Sequence, residues 1–187
     1  LGDGVVAGVL LGKSKAKDAG WLAVTAGWAV AVLAGVLVAK AAGAPGFINP
    51  VGPLAAVLTG GMAVDTALSL AAAEVAGAFA GAVLVWLHDL PHWDHTPDPA
   101  AKLAVFATGP AVRRPAANLL AEALATFMLV FVGTAIVERQ VGPTLGVPLG
   151  AALVWGLGLG LGGTTGYAIN PARDLGPRLA HAVPPIP

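Results

Sequence analysis

Residues 166–178, which read GYAINPARDLGPR, decide the fold of this chain. They end an apolar run, from 141 to 169, that contains no acidic or basic residue. Asn170 followed by Pro171 predicts a helix start, because asparagine caps free backbone N–H groups and proline suits the first helical position. The helix should be short, since Pro184-Pro185 follows closely. A short capped helix behind a long apolar run indicates a half-membrane helix that points its N-terminus into a pore.

The composition is that of a membrane protein. Of 187 residues, 57% are hydrophobic and 11% are charged, and the mean hydropathy is +0.81. Soluble domains carry about 25% charged residues. The formal net charge of zero gives no reason to expect a nucleic-acid partner, and the absence of cysteine leaves disulfides and redox compartment undetermined. Because the chain starts inside an apolar stretch and ends in Pro-Pro-Ile-Pro, we expect both ends to be cut.

Several apolar stretches have membrane length, which is roughly 20 residues for about 30 Å of hydrocarbon. A polar loop, roughly 89–117, divides them into two groups. Alanine and glycine are abundant in all of them, which allows close helix packing. The predicted full spans are residues 21–39, 66–87 and 118–137, with a fourth that begins at Pro148 and runs to Leu161, and residues 1–12 form the second half of another.

Two shorter apolar pieces each open with Asn-Pro, at 49 and at 170, and the first ends at Gly60-Gly61. About ten helical residues reach only about 15 Å, half of the hydrocarbon thickness. Irregular backbone at that depth persists only where it is buried in protein or lines a water-filled cavity. Interrupted segments at corresponding places in two halves are typical of an inverted repeat with a midplane site. We therefore predict one channel domain over 1–187, with repeats at about 1–88 and 118–187 joined by the loop.

At these residues the sequence resembles the aquaporin, or major intrinsic protein, family, and within it the glycerol-conducting branch. The family carries two Asn-Pro-Ala motifs on re-entrant half-helices that meet at the bilayer centre. Asn170-Pro171-Ala172 matches the second motif, and Asp174 directly after Arg173 marks the glycerol branch. The resemblance implies an all-α membrane protein, an inverted-repeat right-handed helical bundle with two re-entrant half-helices, whose first helix is partial and whose sixth is absent.

The first motif departs from the family pattern. It reads Asn49-Pro50-Val51, with valine in place of alanine, and Pro53 follows two residues later. A proline there removes an N–H donor and crowds the carbonyl four residues earlier. We therefore expect a distorted first turn in this half-helix.

The resemblance also assigns a selectivity constriction. Its arginine corresponds to Arg173, its loop residue to Tyr167, its fifth-span position to Gly158 and its second-span aromatic to Trp28. Water-selective relatives usually carry histidine at the position of Gly158, so glycine should leave the pore wide. Trp28 and Tyr167 would form an apolar wall for the carbon backbone of a polyol, and Arg173 would donate to its hydroxyls.

Exclusion of ions would follow from the opposed helix N-termini. Each carries about half a positive charge, which repels cations and hydronium, a device well known from aquaporin-type pores. Asn49 and Asn170 would donate to a passing oxygen. We expect Glu122 to accept hydrogen bonds from the backbone before Asn170, as its family counterpart does, and Glu74 and Asp174 to give structural support.

The sequence thus predicts a passive channel for glycerol, similar polyols and water, with no enzymatic activity, cofactor or metal. The family implies a homotetramer embedded in the lipid of a plasma membrane. Two alternatives stay open. A non-conducting scaffold or decayed paralogue is suggested by Val51 and Pro53, and a membrane metalloenzyme by His88 and His92, one helical turn apart, near His95.

Overall fold

A computed structural model describes residues 1–136, 142–184 and 186 of the chain, and gives the backbone alone for 142–144. Within this part of the chain the regular structure is entirely helical. The elements, in chain order, are α1 (Gly2–Leu10), α2 (Gly20–Ala41), α3 (Val51–Leu58), α4 (Val64–His88), α5 (Leu90–Trp93), α6 (Pro99–Phe106), α7 (Pro115–Ile136), α8 (Gly142–Leu161) and α9 (Pro171–His181).

Three helices, α2, α4 and α7, are long and apolar enough to cross a membrane. They correspond to the predicted spans 21–39, 66–87 and 118–137. Each described helix end lies within three residues of the predicted end. The last residue predicted for the α7 span, Val137, lies outside the described residues. The outward faces carry large apolar side chains such as Leu68, 66% exposed, and Phe131, 65% exposed. Such a surface suits lipid rather than water.

The predicted start of the fourth span is wrong. Helix α8 begins at Gly142, six residues before Pro148, and carries this proline inside it. Proline lacks the N–H that an interior helical position uses, so it is more common at a helix start than inside a helix. In a membrane helix, neighbouring segments can satisfy the freed carbonyl, so an interior proline is tolerated.

The region predicted as a plain loop, 89–117, contains two short helices and the first turn of α7. Asp98 caps α6 by accepting a hydrogen bond from the backbone N–H of Ala100 at 2.8 Å, and Pro99 takes the first helical position. The rings of Trp93 and Phe106, both fully buried, stack with centroids 5.6 Å apart. A segment that buries two aromatic side chains gains a packed structure that charge and proline content alone did not indicate.

The two half-helices have the predicted short length. Eight residues in α3 and eleven in α9 correspond to about 12 Å and about 16 Å of helix. Helix α9 ends at His181, as its prolines predicted, and it packs directly on the backbone of α4. A Cβ added at Gly176 would lie 2.7 Å from Ala78 Cβ and 2.8 Å from the carbonyl oxygen of Val75. Glycine is therefore required at this contact.

Candidate functional site: the junction of two half-helices

The N-terminal ends of α3 and α9 are joined by a reciprocal pair of hydrogen bonds. Asn49 Nδ2 donates to the carbonyl oxygen of Ile169 at 2.9 Å, and Asn170 Nδ2 donates to that of Ile48 at 2.9 Å. Each asparagine thus binds the backbone that leads into the opposite half-helix. Residues that lie 121 positions apart in sequence meet at this junction, which places two helix N-termini against each other.

The two ends are capped unequally. Asn170 is extended, with φ −149° and ψ 104°, and its Oδ1 accepts from the backbone N–H groups of Ala172 at 3.0 Å and Arg173 at 3.2 Å. Asn49 Oδ1 accepts from one N–H, that of Val51, at 3.1 Å. The next N–H, of Gly52, bonds instead to the carbonyl of Asn49 at 2.9 Å, which is a tight 3₁₀-type turn. The first turn of α3 therefore departs from the first turn of α9, in the half-helix where a distortion was expected.

Glu122 of α7 holds the loop that leads to Asn170. Its Oε1 accepts from the backbone N–H of Ala168 at 3.1 Å and its Oε2 from that of Ile169 at 3.1 Å, the contact that the family resemblance implies. Ile169 has a positive φ of 40°, unusual for a branched side chain. Both backbone N–H groups are thus bonded to α7, while the carbonyl oxygen of Ile169 accepts from Asn49.

Arg173 lies on Trp28. The guanidinium carbon is 4.0 Å from the centroid of the ring, a cation–π contact worth about 0.5–2 kcal/mol. The ring also packs against Gly2 of α1, where an added Cβ would overlap the indole carbons. The guanidinium makes no hydrogen bond to any residue that the structure describes, so its donors remain available to another group.

The space beside Gly158 is filled by neighbouring side chains. A Cβ added there would lie 2.7 Å from Tyr167 Cζ, 2.9 Å from Tyr167 Oη and 2.9 Å from Thr25 Cγ2. The space that glycine leaves is thus occupied by the tyrosine ring, which is 4% exposed. The predicted group of Trp28, Gly158, Tyr167 and Arg173 therefore forms two contacting pairs, tryptophan with arginine and glycine with tyrosine.

The remaining predicted supports differ from each other. Asp174 accepts from Thr108 Oγ1 at 3.0 Å and pairs with Arg178 at 2.9 Å, which ties α9 to the segment after α6. Both carboxylate oxygens of Glu74 are buried and have no hydrogen-bond partner among the described residues. The backbone of Asn49 lies close enough to stabilise the charged form of this carboxylate. Glu74 thus lies near the N-terminal end of α3 without the two hydrogen bonds that Glu122 makes near α9.

Three residues near the site were not predicted. Asp3 of α1 is 8% exposed, and together with Asp174 and Glu122 it offsets the positive charge of Arg173. Trp21 and Thr25, one helical turn apart on α2, contact the Gly158–Tyr167 pair. Their i, i+4 spacing ahead of Trp28 was the available signal, but many tryptophans at helix ends are interface anchors.

The histidines of the metalloenzyme alternative point to different partners. His88 pairs with Asp89 at 3.2 Å, and His92 Nδ1 lies 2.9 Å from the carbonyl of Gly12. His95 Nε2 lies 3.4 Å from Lys13 Nζ. No group of three or more possible metal ligands occurs among the described residues. His92 and His95 instead link the segment after α4 to the loop after α1.

The chain is similar to known proteins in sequence and in fold. The profile of the family described as "Major intrinsic protein" matches residues 3–183. "Glycerol uptake facilitator protein 3" of Lactiplantibacillus plantarum is 49% identical over the whole chain and 77% of its own length. "Probable glycerol uptake facilitator protein" of Thermotoga maritima is 50% identical over the whole chain and 80% of its own length. The X-ray structure of the aquaglyceroporin from Plasmodium falciparum aligns with a TM-score of 0.80 at 22% identity, covering 98% of this chain and 75% of its own.

Proposed function

Because this chain belongs to the major intrinsic protein family, we propose that it conducts glycerol and similar small neutral polyols, with water, passively across a membrane. It is an integral membrane protein and a channel, not an enzyme. The relatives that are 43–50% identical over the full length of the chain carry names that specify glycerol uptake.

The observation that carries the proposal is the reciprocal bonding of the two tips. Asn49 and Asn170 each donate one amide N–H to the backbone that leads into the opposite half-helix, at 2.9 Å in both cases. An amide has two N–H donors, so one remains on each side chain for a passing hydroxyl. Two such donors at the meeting point of two positive helix ends favour a neutral oxygen over a cation or hydronium.

Arg173 supplies the second element of the pathway. Its guanidinium has no hydrogen-bond partner among the described residues, and its carbon lies over the Trp28 ring at 4.0 Å from the centroid. A polyol passing this point could place hydroxyls on the guanidinium and carbon atoms on the indole. An arginine near the bilayer centre is costly unless it faces an aqueous path or pairs with acids. The acidic residues Asp3, Asp174 and Glu122 near it supply the paired charge, and the proposed pore would supply the aqueous path.

The assembly follows the family pattern in this proposal. The two repeats, at about 1–88 and 118–187, enclose one pore per subunit between Asn49 and Asn170. Four subunits form a homotetramer in the lipid of the plasma membrane. The large exposed apolar side chains on α2, α4 and α7 support contact with lipid or with other subunits.

The test is solute-driven volume change of proteoliposomes that contain the full chain, in glycerol and in sorbitol. We expect glycerol permeability well above that of empty vesicles, and no increase for sorbitol. Glycerol permeability equal to that of empty vesicles would refute the proposal and favour the non-conducting scaffold.

A matched pair of variants locates the pathway. Gly158→His adds a side chain that must displace Tyr167, so it should reduce glycerol permeability while sparing water. Gly160→His adds the same side chain where a Cβ meets no atom within 4 Å. It should leave both permeabilities unchanged. Equal effects of the two substitutions would mean that Gly158 does not border the path.

A further inference from the structure

One side chain of α2, Trp21, contacts both members of the Gly158–Tyr167 pair. Its indole Nε1 donates to the carbonyl oxygen of Gly158 at 3.0 Å. Its ring meets the ring of Tyr167 edge to face, with centroids 5.8 Å apart and planes at 79°. A single residue thus links α2, α8 and the loop before α9.

The Tyr167 ring is held by apolar packing, with the buried cluster of Ala125, Leu157 and Ile169 on one hand and Trp21 on the other, and not by a hydrogen bond of its hydroxyl. Its φ is +41°, in the left-handed region that is unfavourable for a residue with a side chain, and it follows Gly166 at φ +87°. Its hydroxyl is buried with no hydrogen-bond partner among the described residues. The ring lies in a groove of α8 made by two glycines, since an added Cβ at Gly162 would lie 2.6 Å from Tyr167 Cδ1. A groove made by glycines offers shape but no polar contact.

Trp21 closes this groove from the side of α2. A Cβ at Gly162 would also lie 2.8 Å from Trp21 Cζ2, so the tryptophan and the tyrosine border the same space. The hydrogen bond to Gly158 fixes the indole on α8, and the edge-to-face contact then fixes the phenol ring. The aromatic ring that borders the constriction is therefore held by a residue outside the four positions that the family pattern names.

We propose that Trp21 is a positioning residue for solute selectivity, which holds the Tyr167 ring in the groove of α8 and out of the conducting path. The inference rests on the proposed function. When the contact is lost, the ring is free to swing toward Arg173 and to occupy part of the aperture. Glycerol is wider than water, so its passage is reduced more than that of water.

Trp21 also has the features of a membrane-interface anchor, since it is 42% exposed and lies at the second residue of α2. An anchor that only stabilises the fold would change the number of working channels. Glycerol and water permeability would then fall by the same factor. The ratio of the two permeabilities separates the two roles.

The experiment compares three variants of the full chain in proteoliposomes. Trp21→Phe keeps a ring and removes the N–H donor, and Trp21→Ala removes both. Trp86→Phe is the matched control, because the Trp86 indole nitrogen has no hydrogen-bond partner among the described residues. Glycerol and water permeability are measured on the same vesicle preparations, so differences in reconstitution cancel in the ratio.

We expect the glycerol-to-water permeability ratio to fall by about threefold in Trp21→Phe, the net effect of one hydrogen bond. It should fall by about tenfold in Trp21→Ala, where the ring contact is lost as well. Trp86→Phe should leave the ratio at the wild-type value. A ratio that is unchanged or higher in both Trp21 variants would overturn the positioning role while wild-type glycerol flux upholds the channel. Absence of wild-type glycerol flux would overturn both.

Discussion

Replacing Glu122 by glutamine should loosen the loop that carries the second motif. The carboxylate accepts two backbone N–H groups at 3.1 Å, one on each oxygen. Glutamine keeps one acceptor oxygen and turns an NH₂ group toward the other donor. A hydrogen bond to a charged group contributes about 1.5–3 kcal/mol and a neutral one about 0.5–1.5 kcal/mol. One bond is lost and the other weakened, so the two changes together amount to about 3 kcal/mol.

Removing a charge from the membrane has an opposite effect, which a control must isolate. Glu74→Gln is the matched substitution, because both Glu74 oxygens lack a hydrogen-bond partner among the described residues. It therefore reports the effect of replacing a buried carboxyl group by an amide without the loss of hydrogen bonds. Glu122→Gln should therefore have an unfolding free energy about 3 kcal/mol lower than that of Glu74→Gln.

Thermal unfolding in detergent, followed by tryptophan fluorescence, measures that difference. For a chain of this length about 3 kcal/mol corresponds to roughly 6–12 °C in Tm. Glu122→Gln should also lower glycerol permeability in proteoliposomes, since the loop carbonyls lose their fixed orientation. If both glutamine variants unfold at the same temperature, the two hydrogen bonds do not hold the loop and the reasoning is wrong.

Two further substitutions test the junction and its packing. Asn170→Ala should destabilise the protein more than Asn49→Ala, by about 0.5–1.5 kcal/mol in detergent unfolding, because Asn170 makes three hydrogen bonds and Asn49 two; equal losses would mean that the unequal caps have no energetic consequence. Gly176→Ala should destabilise by about 1–3 kcal/mol, since its Cβ would overlap the backbone of α4. Gly77→Ala adds the same methyl group in open space and should change stability by less than about 1 kcal/mol, so a comparable loss in both would argue against close packing of α9 on α4.

The sequence was most informative where local chemistry determines structure. Asn-Pro starts a helix through capping and a fixed φ, so the start of α9 could be located to the residue. The spacing of apolar runs gave the three long helices within a few residues. The partner of Glu122 was predicted from the family resemblance; the sequence itself showed only that a carboxylate in a membrane helix requires donors.

The sequence was least informative where the contact joins distant residues. That the space beside Gly158 is filled by Tyr167 depends on the path of the loop, in which Gly166, Tyr167 and Ile169 have positive φ values. The role of Trp21 depends on the same path, since its hydrogen bond connects residues 137 positions apart. The predicted start of α8 was wrong because the helix carries Pro148 in its interior, which a membrane helix tolerates.

The central claim is that the two half-helices meet tip to tip and leave a path for neutral solutes beside Arg173. An experimental structure determined in glycerol tests it most directly. We predict glycerol in the path, with hydroxyls within hydrogen-bonding distance of the Arg173 guanidinium and of Nδ2 of Asn49 or Asn170. Tips that lie apart, or a path filled by side chains of the neighbouring helices, would contradict the claim.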